Sequence, residues 1–278
     1  MKIRAILLDF DGTSLQRDQT FLSFRNMYAI RRAMEKGIQI IPCTGRCEDM
    51  FPPQIDAEKQ IRYWVTSSGT RVVDRQTGEV ISQCVLTPEE SAELCRIFEG
   101  QSVYAELSAD GLIFLEKEIN DHLERYPVPP HHVWFNLLNR QRSIALPSAY
   151  FLSHGISMEK CNLYGVPKEK QADFIRQFNE SGLVTLTDGA GTDMQFFPTK
   201  LDKVASIEKL LKRLGLTFDE LMCLGDSAMD ATVIARSGLG IAALRPPSKS
   251  ICCKAPPRSR LSSGSDTPNC VRSTRCAA

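Results

Sequence analysis

The sequence predicts an α/β protein: a Rossmann-like parallel-sheet core interrupted by an inserted α+β domain. Near both ends of the chain, short apolar runs that end in polar residues alternate with helical patterns. Between them the pattern changes to helices mixed with a hairpin. The length of 278 residues suits two domains better than one core. The two outer parts are therefore expected to share one sheet.

The first part of the core is predicted to cover residues 1–82. Residues 3–8 are predicted to form a strand, about 20–36 a helix stopped by Gly37, and 38–42 and 63–66 two further strands. Polar residues follow at the ends of these strands: Asp9 and Ser67 come directly after theirs, and Thr44 comes one residue later. Ligands in parallel sheets bind beyond the carboxyl ends of the strands, so a site is expected there.

The inserted domain is predicted to cover residues 83–199. Thr87 and Pro88 are typical of a helix start, because proline fits the first helical position. Residues 168–181 are predicted to form a second helix, and 183–186 with 194–197 a hairpin.

The core is predicted to resume at residues 200–244. A helix is expected from Lys203 to Gly215, a strand over 221–224, a helix from about Met229 and a strand over 239–242.

Composition limits the classes of partner. The formal net charge is +1, so no strong field favours nucleic acid or an anionic membrane. We find no apolar run of bilayer length, and Asp9 interrupts the region where a signal peptide would still be apolar. The sequence therefore predicts a cytoplasmic protein without nucleic-acid or membrane partners.

The first strand is followed by two carboxylates, Asp9 and Asp11. Alternation along an extended chain points both side chains the same way. One could act as a nucleophile while the other moves protons. Gly12 allows a turn beside a ligand, although an ordinary solvated Asp-Gly turn gives the same pattern.

Two further segments suit phosphate. The hydroxyl of Thr44 and the backbone around Gly45 could hold phosphate oxygens. Lys203 stands at a helix start, where the helix dipole disfavours a cation unless an anion lies near. Taken alone, Thr44 and Gly45 also fit an ordinary turn, and Lys203 also fits an ordinary surface lysine.

Asp226 and Asp230 are four residues apart, between the fourth core strand and the following helix. Carboxylates at such a junction suit Mg²⁺, which takes one or two carboxylates plus phosphate and water. Helix capping by Asp226 or Ser227 is the alternative.

Together these segments resemble the haloacid dehalogenase superfamily of phosphatases. The resemblance rests on Asp9-Phe10-Asp11-Gly12-Thr13, Thr44-Gly45-Arg46, Lys203 and Gly225-Asp226-Ser227-Ala228-Met229-Asp230, in that order. The large insert after the second motif resembles the Cof-type branch, which carries an α/β cap domain. The resemblance covers roughly residues 1–242.

The resemblance implies a role for each motif residue. Asp9 would attack phosphorus and form an aspartyl-phosphate, and Asp11 would act as general acid and then general base. Thr44, Gly45 and Lys203 would bind the phosphoryl group. Asp9, the backbone carbonyl of Asp11 and Asp226 would bind Mg²⁺, with Asp230 supporting the site. The expected substrate is a small phosphorylated metabolite, with sugar phosphates the leading class, and Lys200 is the reserve candidate for the lysine.

Met229 departs from the family pattern, which has Asn before the last Asp. A thioether donates no hydrogen bond. Met229 and the atypical C-terminal segment keep open a catalytically decayed protein that binds a phosphorylated ligand. A phosphomutase on the same scaffold is the other alternative.

The last segment, residues 245–278, differs from the rest. It carries seven Lys or Arg against one Asp, five of the fifteen prolines and four of the ten cysteines. Such a composition cannot bury enough apolar surface to fold. We expect a disordered tail or the product of a shifted reading frame, the rival being a basic tail for an acidic partner.

Overall fold

The computed structural model describes residues 2–129, 132, 140–188 and 192–243. The predicted tail, 245–278, lies outside this part of the chain, and the predicted domain bounds stay predictions. The strands in the described part are β1 (Ala5–Leu8), β2 (Gln39–Pro42), β3 (Tyr63–Thr66), β4 (Arg71–Asp74), β5 (Glu79–Gln83), β6 (Tyr104–Ala109), β7 (Leu112–Glu116), β8 (Arg142–Ile144), β9 (Met158–Tyr164), β10 (Val184–Asp188), β11 (Met194–Pro198), β12 (Leu221–Gly225) and β13 (Leu239–Ala242).

Helices connect and cover these strands. The α-helices are α1 (Phe24–Glu35), α2 (Pro53–Asp56), α3 (Pro88–Phe98), α4 (Lys117–Asp121), α5 (Pro147–His154), α6 (Lys168–Ser181), α7 (Lys203–Leu214) and α8 (Ala231–Arg236), and short 3₁₀ helices span Glu48–Met50, Ser67–Gly69, Leu123–Arg125 and Phe218–Glu220. None of the helices described combines the length and the apolar content that crossing a bilayer requires.

The core is a four-stranded parallel sheet in the order β13-β12-β1-β2. From β1 the chain proceeds to β2 on one side, and it returns to β12 on the other. The carboxyl end of β1 is thus the point where the direction of winding reverses, which is where open α/β sheets bind ligands. The predicted parallel-sheet core is confirmed.

Alternation along β1 assigns the two faces of this sheet. Ala5 and Leu7 pack with Ile207 and Leu210 of α7, whereas Leu8 on the other face packs in a second cluster that includes α1. Helices on both faces explain why a parallel sheet of short apolar strands is stable here.

Strands β3, β4 and β5 form a separate antiparallel sheet beside the core. A single parallel bridge between Cys43 and Val65 joins β3 to the end of β2. The loop after β3 is thereby held against the loop after β2. The sequence predicts β3 as a strand of the parallel sheet, but its regular partner is the following strand β4.

The inserted domain is built on a six-stranded sheet in the order β10-β11-β9-β6-β7-β8. Its neighbours pair antiparallel, except for β7 with β8. One face is apolar and packs on α3, α5 and α6, with Phe98, Phe151 and Phe178 in its core. This mixture of helices and hairpins confirms the predicted inserted α+β domain, hereafter the cap.

Two helices begin later than the sequence pattern predicts. The first starts at Phe24 because the Ser23 side chain caps it by accepting from the Asn26 N–H, while Leu22 is still bridged to Leu15. The last starts at Ala231 because the residues from Ser227 to Asp230 form hydrogen-bonded turns, which place Asp230 in the candidate site.

Candidate active site

Asp9 directly follows the central strand β1, and its N–H still donates to the Leu224 carbonyl at 3.1 Å. The side chain is buried. Thr13 Oγ1 donates to Asp9 Oδ2 at 2.9 Å, and Ser14 Oγ donates to the Asp9 carbonyl at 2.6 Å. The turn after β1 therefore fixes the carboxylate from both its side chain and its backbone.

Asp11 is held by an arginine. Arg46 donates to the two Asp11 oxygens from Nε at 2.8 Å and from Nη2 at 2.6 Å. Arg46 is buried and also donates to the backbone carbonyls of Gln19 and Met50. This two-pronged pair is the geometry that guanidinium and carboxylate prefer, and it ties the first motif to the second.

Thr44 and Gly45 form the loop after β2. The Thr44 hydroxyl accepts from the Arg46 N–H at 3.2 Å. The loop after β3 supports it, because the Ser68 N–H donates to the Thr44 carbonyl and the Ser67 N–H to the Arg46 carbonyl, both at 2.8 Å. Ser67 and Ser68 have φ values of 48° and 60°. Such left-handed backbone is uncommon outside glycine and concentrates at functional sites.

Lys203 reaches the site from the first turn of α7. Its Nζ donates to Asp230 Oδ1 at 2.6 Å, and both side chains are buried. Burial acts to lower the pKa of Lys203, but the charge and hydrogen bond of Asp230 and the charge of Asp9 act to raise it, and the net shift is upward, so the ammonium persists. Lys200, the reserve candidate, is exposed.

Asp230 uses its second oxygen within its own loop. Ser227 donates to Asp230 Oδ2 from its N–H at 3.2 Å and from its hydroxyl at 2.5 Å. A Cβ placed on Gly225 would lie 2.6 Å from Asp230 Cγ, so only glycine allows this approach. Asp230 thus organises Lys203 and the loop after β12.

Three carboxylates converge beside β1 and β12. Oxygen atoms of Asp9, Asp226 and Asp230 lie within 4.8 Å of one another. Burial, followed by the charges of Asp230 and Asp11, raises the pKa of Asp9 well above its ordinary value, although Thr13 and Lys203 oppose this. Buried like charges of this kind need a cation, and an all-oxygen set suits Mg²⁺. These residues therefore fit a magnesium site.

The Cys43 thiol lies close to Lys203, Asp230 and Asp9. Burial raises its pKa to about 11. The side chain therefore stays a thiol at neutral pH and does not compete with the carboxylates as a nucleophile.

The polar face of the cap sheet meets the core at this site. Lys160 on β9 donates from Nζ to the Gly45 carbonyl at 2.5 Å. The neighbouring Glu159 accepts from the Ser67 hydroxyl at 2.5 Å and from the Gly111 N–H at 2.8 Å. Two adjacent cap residues thus contact the loops that follow β2 and β3.

The structure brings together most of the charged residues that the sequence predicts for the site. Asp9, Lys203, Asp226 and Asp230 form one cluster, while the Asp11 carboxylate faces Arg46 at its edge. Sequence reasoning assigned no role to Arg46 or Lys160. For Lys160 a signal existed: from Lys160 to Tyr164, polar residues alternate with apolar ones in β9, which indicates a strand with one polar face.

Comparison with known proteins identifies the family. Residues 6–245 match the family model described as haloacid dehalogenase-like hydrolase. The chain is 21% identical over 244 residues to 5-amino-6-(5-phospho-D-ribitylamino)uracil phosphatase YcsE of Bacillus subtilis (strain 168), covering 86% of this chain and 83% of that protein. It is 22% identical over 259 residues to phosphatase YwpJ of the same organism, covering 86% and 89%.

Solved structures share the fold. A haloacid dehalogenase-like hydrolase from Bacteroides thetaiotaomicron superposes with a TM-score of 0.70 at 20% identity, covering 87% of this chain and 88% of that one. A sugar phosphatase of haloacid dehalogenase subclass IIB superposes with a TM-score of 0.67 at 16% identity, covering 86% of each. The motifs, the core with its inserted cap and the match over residues 6–245 agree: the chain belongs to the haloacid dehalogenase-like hydrolase family, in its Cof-type branch.

Proposed function

We propose that this protein is a magnesium-dependent phosphatase that hydrolyses small phosphorylated metabolites through an aspartyl-phosphate on Asp9. The observation that carries the proposal is the convergence of Asp9, Asp226, Asp230 and Lys203 at the carboxyl ends of β1 and β12. Phosphoryl transfer depends mainly on positioning and charge neutralisation, and this cluster combines a carboxylate nucleophile, a cation and a metal-binding set.

Asp9 is the nucleophile in this proposal. One of its carboxylate oxygens forms a bond to phosphorus while the bond from phosphorus to the ester oxygen breaks. Water then attacks the phosphorus of the aspartyl-phosphate, which releases inorganic phosphate and restores the carboxylate. Thr13 supports the assignment, because its hydroxyl fixes the orientation of the Asp9 carboxylate.

Asp11 moves the protons. It gives a proton to the leaving alcohol oxygen and later takes one from the attacking water. Asp11 lies near enough to raise the pKa of Asp9, and its side chain is 29% exposed. Arg46 positions this carboxylate by two hydrogen bonds, so Asp11 gives up an Arg46 contact when it binds the leaving group.

The phosphoryl oxygens are bound by Thr44, the Gly45 backbone and the Lys203 ammonium. Lys203 is poised for this by Asp230, which holds the ammonium beside Asp9. Mg²⁺ would be held by Asp9, the Asp11 backbone carbonyl and Asp226, with Asp230 as the supporting acid. When bound, the ion neutralises charge on the phosphoryl group.

The names of relatives support a small phosphorylated substrate. YcsE is named a phosphatase of a phosphoribityl compound, and the subclass IIB relative is named a sugar phosphatase. We extend this to the present chain as a preference for phosphate esters of sugars or sugar-like alcohols.

Removal of the metal tests the proposal directly. We expect phosphate release from a panel of sugar phosphates and an aryl phosphate in Mg²⁺, and at least an approximately 100-fold lower rate in chelator, because the buried acids then lose their counter-charge. Re-addition of Mg²⁺ should restore the rate.

Other outcomes would favour the alternatives. Transfer of phosphate between positions of a sugar, without release, would indicate a phosphomutase. Binding of Mg²⁺ and sugar phosphate with no turnover of any ester would indicate a decayed site and overturn the proposal.

A further inference from the structure

The cap sheet turns a polar face toward the active site, and that face is organised in rows. In the β6–β9 pair, Tyr104 lies opposite Tyr164, Glu106 opposite Asn162 and Ser108 opposite Lys160. Side chains directly opposite in an antiparallel pair have Cβ atoms about 4.5–5.5 Å apart. The three rows therefore form one continuous polar ladder, with Lys160 at the end that contacts Gly45.

Three acceptor atoms of this ladder have no hydrogen-bond partner in the described part of the chain. They are Glu106 Oε2, Asn162 Oδ1 and Ser108 Oγ. Their residues are buried, with exposures of 0%, 2% and 0%. A buried acceptor without a partner has lost its hydration without gaining a hydrogen bond in return, so native proteins rarely keep one without a reason. Three in adjacent rows indicate a ligand.

The other polar atoms of Glu106 and Asn162 are held by neighbouring side chains. Glu106 Oε1 accepts from the Tyr104 hydroxyl at 2.8 Å and lies 2.6 Å from His132 Nδ1. The Asn162 amide donates to the Tyr164 hydroxyl at 3.2 Å. The cap thus anchors Glu106 through Oε1 and Asn162 through its amide nitrogen, which leaves Glu106 Oε2 and Asn162 Oδ1 without a partner in the described part of the chain.

The charges of the ladder limit the chemistry of that partner. Burial acts to raise the pKa of Glu106, but His132, Tyr104 and Lys160 outweigh it and hold the pKa below its ordinary value, so Glu106 is a carboxylate. A carboxylate repels phosphate, and an apolar group would leave all three acceptors unsatisfied. Because Lys160 already supplies a cation near Glu106, neutral hydroxyl donors fit better than a second cation.

We propose that Glu106, Asn162 and Ser108 bind the alcohol part of the substrate, and that this part is a polyol with neighbouring hydroxyl groups. The inference rests on the proposed phosphatase function and adds to it the residues that select the substrate. With the phosphoryl group at Thr44 and Gly45, the alcohol extends from the Lys160 end of the ladder toward the row of Glu106 and Asn162.

Two esters with the same carbon chain test the proposal: ribitol phosphate, which carries hydroxyl groups, and n-pentyl phosphate, which does not. We expect the wild-type protein to prefer ribitol phosphate in kcat/KM by at least about 100-fold. Glu106→Gln replaces one acceptor oxygen by a donor, and Asn162→Leu removes an acceptor at similar size. Each should reduce the preference by about 10- to 100-fold.

Glu93→Gln is the matched control, because Glu93 is exposed on cap helix α3. It should keep the wild-type preference. A folded Glu106→Gln protein with the wild-type preference would overturn the proposal, as would a wild-type protein that does not discriminate between the esters. If Glu106→Gln does not fold, the same ratio in Asn162→Leu decides.

Binding of the two esters to an Asp9→Asn protein distinguishes a failure of the proposed phosphatase function from a failure of the proposed polyol subsite. Selective binding of ribitol phosphate, in a protein whose wild type releases no phosphate, would contradict the phosphatase function and support the polyol subsite. Phosphate release without selectivity in binding or kcat/KM would support the function and overturn the subsite.

Discussion

Replacing Asp9 by Asn is expected to lower kcat for phosphate release by at least about 1,000-fold, with the protein still folded. The amide keeps the shape of the carboxylate and its contact with Thr13 but cannot attack phosphorus. Removal of a nucleophile costs far more than removal of a binding contact, because no other group performs its step. Steady-state phosphate release with an aryl phosphate, which needs little help with its leaving group, measures the loss.

The stability of the same variant serves as its folding control. Burial and the charges of Asp230 and Asp11 raise the pKa of Asp9, so in chelator the ionised form destabilises the fold. A raised native pKa means that stability falls as pH rises from the unfolded to the native pKa and stays lower above it. At neutral pH, Asp9→Asn should therefore raise the Tm of the metal-free protein. Asp219→Asn, at an exposed aspartate, should change neither activity nor Tm.

Replacing Lys203 by Met is expected to affect both activity and stability. Loss of the ammonium removes a phosphate ligand and leaves the Asp230 carboxylate buried without its cation. We expect kcat/KM to fall by at least about 100-fold and the free energy of unfolding to fall by about 3–5 kcal/mol, as for other broken buried ion pairs. Urea denaturation and phosphate release measure the two effects.

A double variant separates the two roles of Lys203. Adding Asp230→Asn to Lys203→Met removes the unpaired charge, so much of the stability should return while activity stays low. Lys200→Met is the matched control, because Lys200 is exposed near the same helix. Wild-type activity in a folded Lys203→Met protein, or loss of activity in Lys200→Met, would show that the wrong lysine has been assigned.

The core strands β1, β2 and β12 could be predicted because each is a short apolar run that leads to a polar motif. Helix α6 begins and ends where its pattern predicts, at Lys168 and Ser181. The hairpin of β10 and β11 was equally readable from its turn residues. These features depend on local pattern, which a single sequence contains.

The contacts between distant segments could not be predicted in the same way. Arg46 meets Asp11 across 35 residues, and Lys160 meets Gly45 across 115. Nothing in the local pattern of either segment identifies its partner. The pairing of β3 with β4 was missed for a related reason: a fully buried strand has the same pattern in a parallel and an antiparallel sheet.

The family motifs predicted more of the candidate site than local sequence pattern alone could. They predicted that Asp9, Lys203, Asp226 and Asp230 belong to one site, and the structure brings these four together. They did not predict the unpartnered acceptors of Glu106 and Asn162, because cap residues lie outside the motifs. A polar residue at every second position of β6 was the available signal.

The covalent intermediate is the central claim, and trapping it is the most direct test. In Asp11→Asn the general base for the second step is lost, while an aryl phosphate still transfers its phosphoryl group readily to Asp9. After a rapid acid quench, mass spectrometry of the digested protein should locate one phosphoryl group on the peptide that contains Asp9. Phosphate release without any phosphorylated peptide, or a phosphoryl group on another residue, would contradict the account.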